Sequence, residues 1–222
     1  MRIREFMTTN VITVSSKTPV VDARKYMQVH KIRRLPVVDK GKIVGMVSDR
    51  RVAEASPSAA TTLSVWEINH LLSKMTISEI MSKKVITCPP DTTAESALAL
   101  AQQHGVGSLP VVDEKDRLIG IVTTNDFVYR IMNPLLGIGK PGIRIHVYDC
   151  GDTNKIEEVV RFISKANLDI MAVHLDDSIE RDSQDLIVQV DTEDASSLIG
   201  DLTNRGFKVA IRERQFWPAT NQ

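Results

Sequence analysis

The sequence predicts a mixed α/β and α+β chain, in which two β-α-β-β-α repeats pair about a pseudo-two-fold axis and a β-α-β-β-α-β tail follows. Residues 3–39 laid over 77–113 without a gap are identical at fifteen of thirty-seven positions. The matches include Met7/Met81, Val11-Ile12-Thr13/Val85-Ile86-Thr87, His30/His104 and Leu35-Pro36-Val37-Val38-Asp39/Leu109-Pro110-Val111-Val112-Asp113. One extra residue in the second copy restores the register at Gly45/Gly120 and Val47/Val122. Two copies are too few for a solenoid, which needs about three to bury a continuous core. They must cover each other, and a face-to-face pair creates two related clefts where small ligands bind. After a Pro/Gly-rich stretch at 133–142 the apolar pattern changes, which marks a second domain.

Each repeat has the same internal order. A short apolar strand (11–14; 85–88) leads into a helix, which in the second copy spans 93–104 with Ala94, Ala97, Leu98 and Ala101 at helical spacing. A buried strand follows (35–39; 109–113), then a polar turn, a second strand (43–48; 118–123) and another helix. Between the copies, 56–62 is a loop by composition, and 63–75 places Val65, Ile68, Leu72 and Met75 on one helical face. The tail reads as strand 144–148, helix 154–166, strands 169–175 and 186–191, helix 195–205 stopping at Gly206, and strand 207–211. That order is the ferredoxin-like split β-α-β arrangement. The divisions are therefore 1–55 for the first repeat, 56–76 for the insertion and 77–133 for the second repeat. A linker at 134–142, the tail domain at 143–213 and a terminal segment at 214–222 complete the chain.

Composition narrows the function classes. Hydrophobic content of 42% and charged content of 25% are globular values. Twenty-eight basic residues balance twenty-eight acidic ones, so no global field favours nucleic acid or an anionic membrane. Cys88 and Cys150 are too far apart for a metal-type pair, which fits a reducing compartment. The sequence shows no apolar run of about eighteen residues and no signal-peptide pattern, so the chain reads as cytoplasmic.

Several motifs are decoys. Residues 137–142 spell G-x-G-x-x-G, but they follow a helix, contain Pro141 and open a strand, which is the wrong context for a dinucleotide fingerprint. His146 and His174 fall on tail strands that are not neighbours in a ferredoxin-like sheet, so no shared metal is expected. His30 and His104 close helices, where a cation suits the terminal dipole. No nucleophile–base–orienter set is visible, so no catalytic residue is assigned.

Each repeat resembles a cystathionine-β-synthase (CBS) domain: Met7/Met81 before the first strand, Leu-Pro-Val-Val-Asp in the middle, and Gly-x-Val-Ser/Thr before the last helix. The tail resembles an ACT domain, and the arrangement as a whole resembles the acetoin-utilization AcuB family. The resemblance implies an adenosine nucleotide (AMP, ADP, ATP or S-adenosylmethionine) bound between the repeats through Ser/Thr-x-x-Asp. The second copy reads Thr123-Thr124-Asn125-Asp126 and keeps hydroxyl and acid; the first reads Ser48-Asp49-Arg50-Arg51, with a cation where the acid belongs. A carboxylate accepts from both ribose hydroxyls, while a hydroxyl and helix-start N–H groups attract phosphate.

On this reading Asp126 and Thr123 share a cleft with Ile86, Thr87, Leu109 and Pro110, which line the base. Gly107 and Ser108 let the ligand approach the backbone. Arg33 and Arg34 hold phosphate in the first repeat's cleft, with Arg50 and Arg51 at its opposite corner. In the tail, the loop usual for amino-acid effectors survives only as 149–154, so Asp149, Gly151 and Asn154 form the candidate effector loop. The expectation is a non-catalytic, homodimeric nucleotide sensor, with its regulated target open. The alternative is an amino-acid or small-effector sensor working through the tail, with the repeats as a dimerisation platform.

Overall fold

The computed structural model describes residues 1–55, 64, 67, 73–178 and 182–212. The predicted helix at 63–75 lies largely outside them. The chain divides into two compact units, Met1–Phe127 and Val128–Gln222. Among the described residues no helix is long and apolar enough to cross a membrane.

In the first unit each repeat builds a two-stranded antiparallel sheet. β1 (Arg34–Asp39) pairs with β2 (Lys42–Ser48), and β3 (Ser108–Val112) with β4 (Leu118–Thr123). Both ladders slip register at the same place, between Val37 and Val38 and between Val111 and Val112. Helices Val20–Val29 and Ala94–Gln103 cover the sheets; Thr93 caps the latter by accepting from the Ser96 N–H at 3.3 Å.

The predicted strands at 11–14 and 85–88 are not regular strands. Each makes one parallel bridge, Val14 to Val37 and Cys88 to Val111. The physical reason is the proline in the shared motif. To continue the parallel ladder backward, the residue at 36 or 110 would have to donate an N–H to the carbonyl at 12 or 86, and proline has none. The ladder therefore stops at Val14 and Cys88, and Ile12 and Ile86 are left on the lips of clefts.

The repeats exchange their leading segments. Ile3 N–H donates to the Thr92 carbonyl and Ala94 N–H to the Met1 carbonyl; in the other direction Val20 N–H donates to Met75 and Ile77 N–H to Thr18. Ile77 accordingly sits in the first repeat's core with Val20, Leu35, Val47 and Val52. Phe6 packs edge-on against Phe127 of the second repeat, ring centres 5.5 Å apart. Thr76 and Glu79 form a capping box that fixes the start of the helix Ile77–Ile80.

The second unit contains a four-stranded antiparallel sheet in the order β6-β7-β5-β8, from β5 (Ile143–Val147), β6 (Ile170–Asp177), β7 (Gln184–Val190) and β8 (Val209–Arg212). With helices Thr153–Lys165 and Ser196–Asn204 inserted in sequence, this is the ferredoxin-like order. Ile145, Val147, Leu186, Val188 and Val190 face Val159, Ile163, Leu198 and Leu202 in one core. Residues 136–141 are fastened to the sheet: Gln189 Nε2 donates to the Lys140 and Pro141 carbonyls, Arg144 to the Leu136 carbonyl, and Lys140 Nζ to Met171. Gly142, at φ +96°, passes so close to the Val190 carbonyl that no side chain fits there.

Candidate functional site

Two clefts open between the repeats. The larger, of about 590 Å³, is lined by Thr8 and Asn10 to Ile12, by Lys31 to Arg34 and Pro36, and by Gly107, Ile121 and Thr123 to Asp126. The smaller, of about 310 Å³, is lined by Arg34, Ser48, Arg51, Ser82, Lys84 to Ile86, and Gly105 to Ser108 with Pro110. Each cleft takes its upper wall from one repeat and its helix start from the other.

This geometry regroups the residues named from the sequence. Asp126 and Thr123 share the larger cleft with Val11, Ile12, Pro36, Arg33 and Arg34, all from the first repeat. Ile86, Ser108 and Pro110 line the smaller cleft, opposite Arg51 rather than Asp126. Thr87 and Leu109 line neither; Leu109 is a core residue, 1% exposed. Arg34 alone among the arginines borders both clefts. The cause is the exchange of leading segments: Thr8 bridges to Ile121 and Ser82 to Met46, so each repeat's first wall lies against the other's last strand. Asn10 and Lys31 in one cleft, and Ser82 and Lys84 in the other, escaped sequence reading because no motif marks them.

Local bonding sets the two helix starts. Asp126 accepts from the Thr123 N–H at 2.8 Å and the Thr123 hydroxyl at 2.7 Å, which orients the carboxylate on the first turn. At the matching position, Arg51 N–H donates to Ser48 Oγ at 3.3 Å and its guanidinium donates to the Ile80 carbonyl at 3.4 Å. Asp49 accepts from the Arg50 N–H, and Arg50 pairs with Glu54 at 2.7 Å; neither lines a cleft. Arg34 lies over Gly107 and donates to its carbonyl at 3.4 Å; a Cβ there would stand 2.7 Å from the guanidinium. The arginine thus occupies the close approach that Gly107 offers.

In the second unit, Asp149 is tied into β7. Its N–H donates to Asp185 at 2.9 Å, and its carboxylate accepts from Ser183. Asp152 caps the following helix by accepting from Asn154 and Lys155. Asp185 also meets His146 Nε2 at 2.8 Å, both side chains buried. His146 and His174 each face Ile187 from opposite sides, so β7 stands between them. Burial pushes the Cys88 thiol up to about 11 and raises Cys150 as well, so neither is a ready nucleophile. No cluster of three metal-ligating side chains occurs among the described residues.

Comparison with known proteins places the first unit. The chain is 30% identical over 131 residues to the CBS domain-containing protein YhcV of Bacillus subtilis, covering 59% of this chain and 86% of that one. It is 34% identical over 133 residues to an inosine-5'-monophosphate dehydrogenase of Korarchaeum cryptofilum, covering 60% of this chain but only 25% of the enzyme. Among solved structures, CBSX2 in complex with AMP aligns at TM-score 0.51 and 27% identity, over 60% of this chain and 97% of that one. An acetoin utilization protein, AcuB, from Vibrio cholerae aligns at TM-score 0.50 and 29% identity, over 60% and 91%. The family model for the CBS domain matches twice, at residues 3–58 and 77–133, half of the sequence, and the chain therefore belongs to the CBS-domain family as a tandem pair.

Proposed function

We propose that this chain is a regulatory sensor that binds an adenosine nucleotide in the Asp126 cleft and relays the event to its ferredoxin-like domain, which we read as ACT-like. One observation carries the reading. Asp126, oriented by Thr123, shares a cleft of about 590 Å³ with apolar Val11, Ile12 and Pro36 and with the cations Arg33 and Arg34. A carboxylate for the ribose, an apolar wall for the base and guanidinium groups for phosphate are the three contacts an adenosine nucleotide needs. AMP, ADP and ATP offer all three contacts and S-adenosylmethionine, which has no phosphate, offers the first two; the AMP complex of CBSX2 supports an adenosine ligand.

The mechanism is linkage. A ligand that prefers one arrangement of the two repeats shifts their orientation by no more than its differential affinity. The regulated target is open, with acetoin utilization the first to test. The working form is a homodimer, checked by light scattering across a wide concentration range; a monomeric mass throughout would remove the relay. The alternative, an effector held at the 149–154 loop, has less support, because Asp149 and Asp152 are engaged in fastening that loop.

The deciding experiment is calorimetry with AMP, ADP, ATP and S-adenosylmethionine on wild type and Asp126→Ala. Charge-assisted hydrogen bonds contribute roughly 1.5–3 kcal/mol each. The substitution should therefore weaken binding at least about tenfold. Asp126 also caps its own turn, so the melting temperature of each protein is recorded alongside. Unchanged affinity in a folded variant removes the site from the argument.

A further inference from the structure

The smaller cleft differs from the larger in chemistry as well as size. Its lining holds three cations, Arg34, Arg51 and Lys84, and no carboxylate. Four other arginines of this unit are in ion pairs: Arg2 and Arg4 meet Asp91, Arg50 meets Glu54, and Arg117 meets Asp113 at 2.6 Å. Among the described residues neither Arg34 nor Arg51 is in an ion pair. Each guanidinium holds one long bond to a backbone carbonyl, 3.4 Å in both cases. The hydroxyls of Ser48, Ser82 and buried Ser108 border the same space.

We propose that this cleft is a receptor for a di- or triphosphate group, taken without recognition of a ribose diol. A guanidinium only donates, so it cannot replace the carboxylate that accepts from two ribose hydroxyls. Its planar fork does match two phosphate oxygens, and a half-closed cavity holding three like charges favours a multiply charged anion. The proposal extends the sensor reading to the other cleft but does not require adenosine at Asp126. The phosphate chain has two sources, free inorganic polyphosphate or the tail of a nucleotide whose base rests on Ile86, Val106 and Pro110.

The test is calorimetry on the full chain at fixed ionic strength, using tripolyphosphate, ATP, 2′,3′-dideoxy-ATP and adenosine. Tripolyphosphate should bind wild type, weaken at least about tenfold in Arg51→Met, and stay within about twofold in Asp126→Ala. ATP and dideoxy-ATP should bind the Asp126→Ala protein alike. Equal affinity for ATP and tripolyphosphate in that protein identifies the free anion as sufficient; tighter ATP identifies a nucleotide, and both results support the site. Tripolyphosphate binding that ignores Arg51→Met in a protein of normal melting temperature overturns it, as does a strong preference for ATP over dideoxy-ATP. Adenosine, which has no phosphate, reads the Asp126 cleft alone. AMP affinity unchanged in Asp126→Ala, beside an Arg51-dependent tripolyphosphate site, would defeat the sensor reading and leave this one standing.

Discussion

The Met7 thioether lies against Gly120, and a Cβ built on that glycine would stand 2.5 Å from the sulfur and 3.2 Å from the Thr8 carbonyl. The second repeat returns the contact: Met81 lies against Gly45 with the same two distances, to its sulfur and to the Ser82 carbonyl. Each glycine is the place where one repeat's last strand admits the other's leading segment. The repeated Met and Gly positions are thus one interaction, written twice and exchanged between halves.

Gly120→Ala should destabilise the pair. Overpacking a filled site costs about 1–3 kcal/mol, and here a backbone carbonyl limits how far the neighbour can yield. Met7→Ala removes the sulfur and opens room for the new methyl. The double variant should then lose clearly less than the sum of the singles. Urea unfolding of the four proteins measures this, and strict additivity would mean that Met7 and Gly120 do not sense each other.

The shared motif's last residue predicts a difference in acid stability. Asp113 is held down to about 2 by the Arg117 side chain, then by the Arg117 and Lys115 N–H groups. Asp39 is also lowered, but by Ser16 and Ser15 instead. A carboxylate depressed on folding stabilises above its unfolded value near 3.8, and that contribution fades as pH falls toward the folded one. Asp113→Asn should therefore flatten the loss of stability between about pH 4 and pH 2, as seen by acid unfolding at low salt. An identical acid profile in the variant would contradict the assignment.

Much of this was legible in the chain. The repeats, the tail's element order and the contrast between Asp126 and Arg51 are all local patterns. What was not legible is which repeat supplies which wall. Two similar repeats give identical local signals whether each closes its own cleft or its partner's, and only non-local contacts such as Thr8 with Ile121 decide it. That is why the sequence alone groups Ile86 and Pro110 with Asp126. The segments 11–14 and 85–88 depart from the expected strands for a smaller reason. Apolar β-branched residues predict a strand, but a proline in the neighbouring strand withholds the donor that would extend the ladder.

Arg34 borders both clefts, so their occupants should oppose each other. A phosphate in one cleft draws the guanidinium and leaves the other with one cation fewer. AMP should weaken tripolyphosphate binding by about fivefold or more, and linkage requires the same factor in reverse. Arg34→Met should reduce that factor toward one while weakening both ligands. Titrating each ligand with the other present measures the coupling. An unchanged factor in Arg34→Met would assign the coupling to another route.

Arg51→Asp puts an acid where the second repeat has Asp126, and it reverses the character of the smaller cleft. The Asp side chain is short enough to clear the cavity, and Ser48 stands in the place of Thr123 to orient it by hydroxyl and N–H. Ile86 and Pro110 already supply the apolar wall that Ile12 and Pro36 supply on the other side. The substitution should add a second adenosine event per chain. It should also weaken tripolyphosphate by at least about tenfold, since one cation is lost and a repelling anion gained. Native binding should differ in kind: phosphate attraction at an exposed guanidinium is screened by salt, whereas hydrogen bonds from a ribose to a carboxylate are screened less. Raising the ionic strength should thus weaken the native smaller cleft more than the Asp126 cleft. If the variant shows no second adenosine event while tripolyphosphate is lost, Arg51 binds the anion but the cleft's shape, not its charge, excludes the nucleoside. If neither ligand responds, position 51 does not govern this cleft.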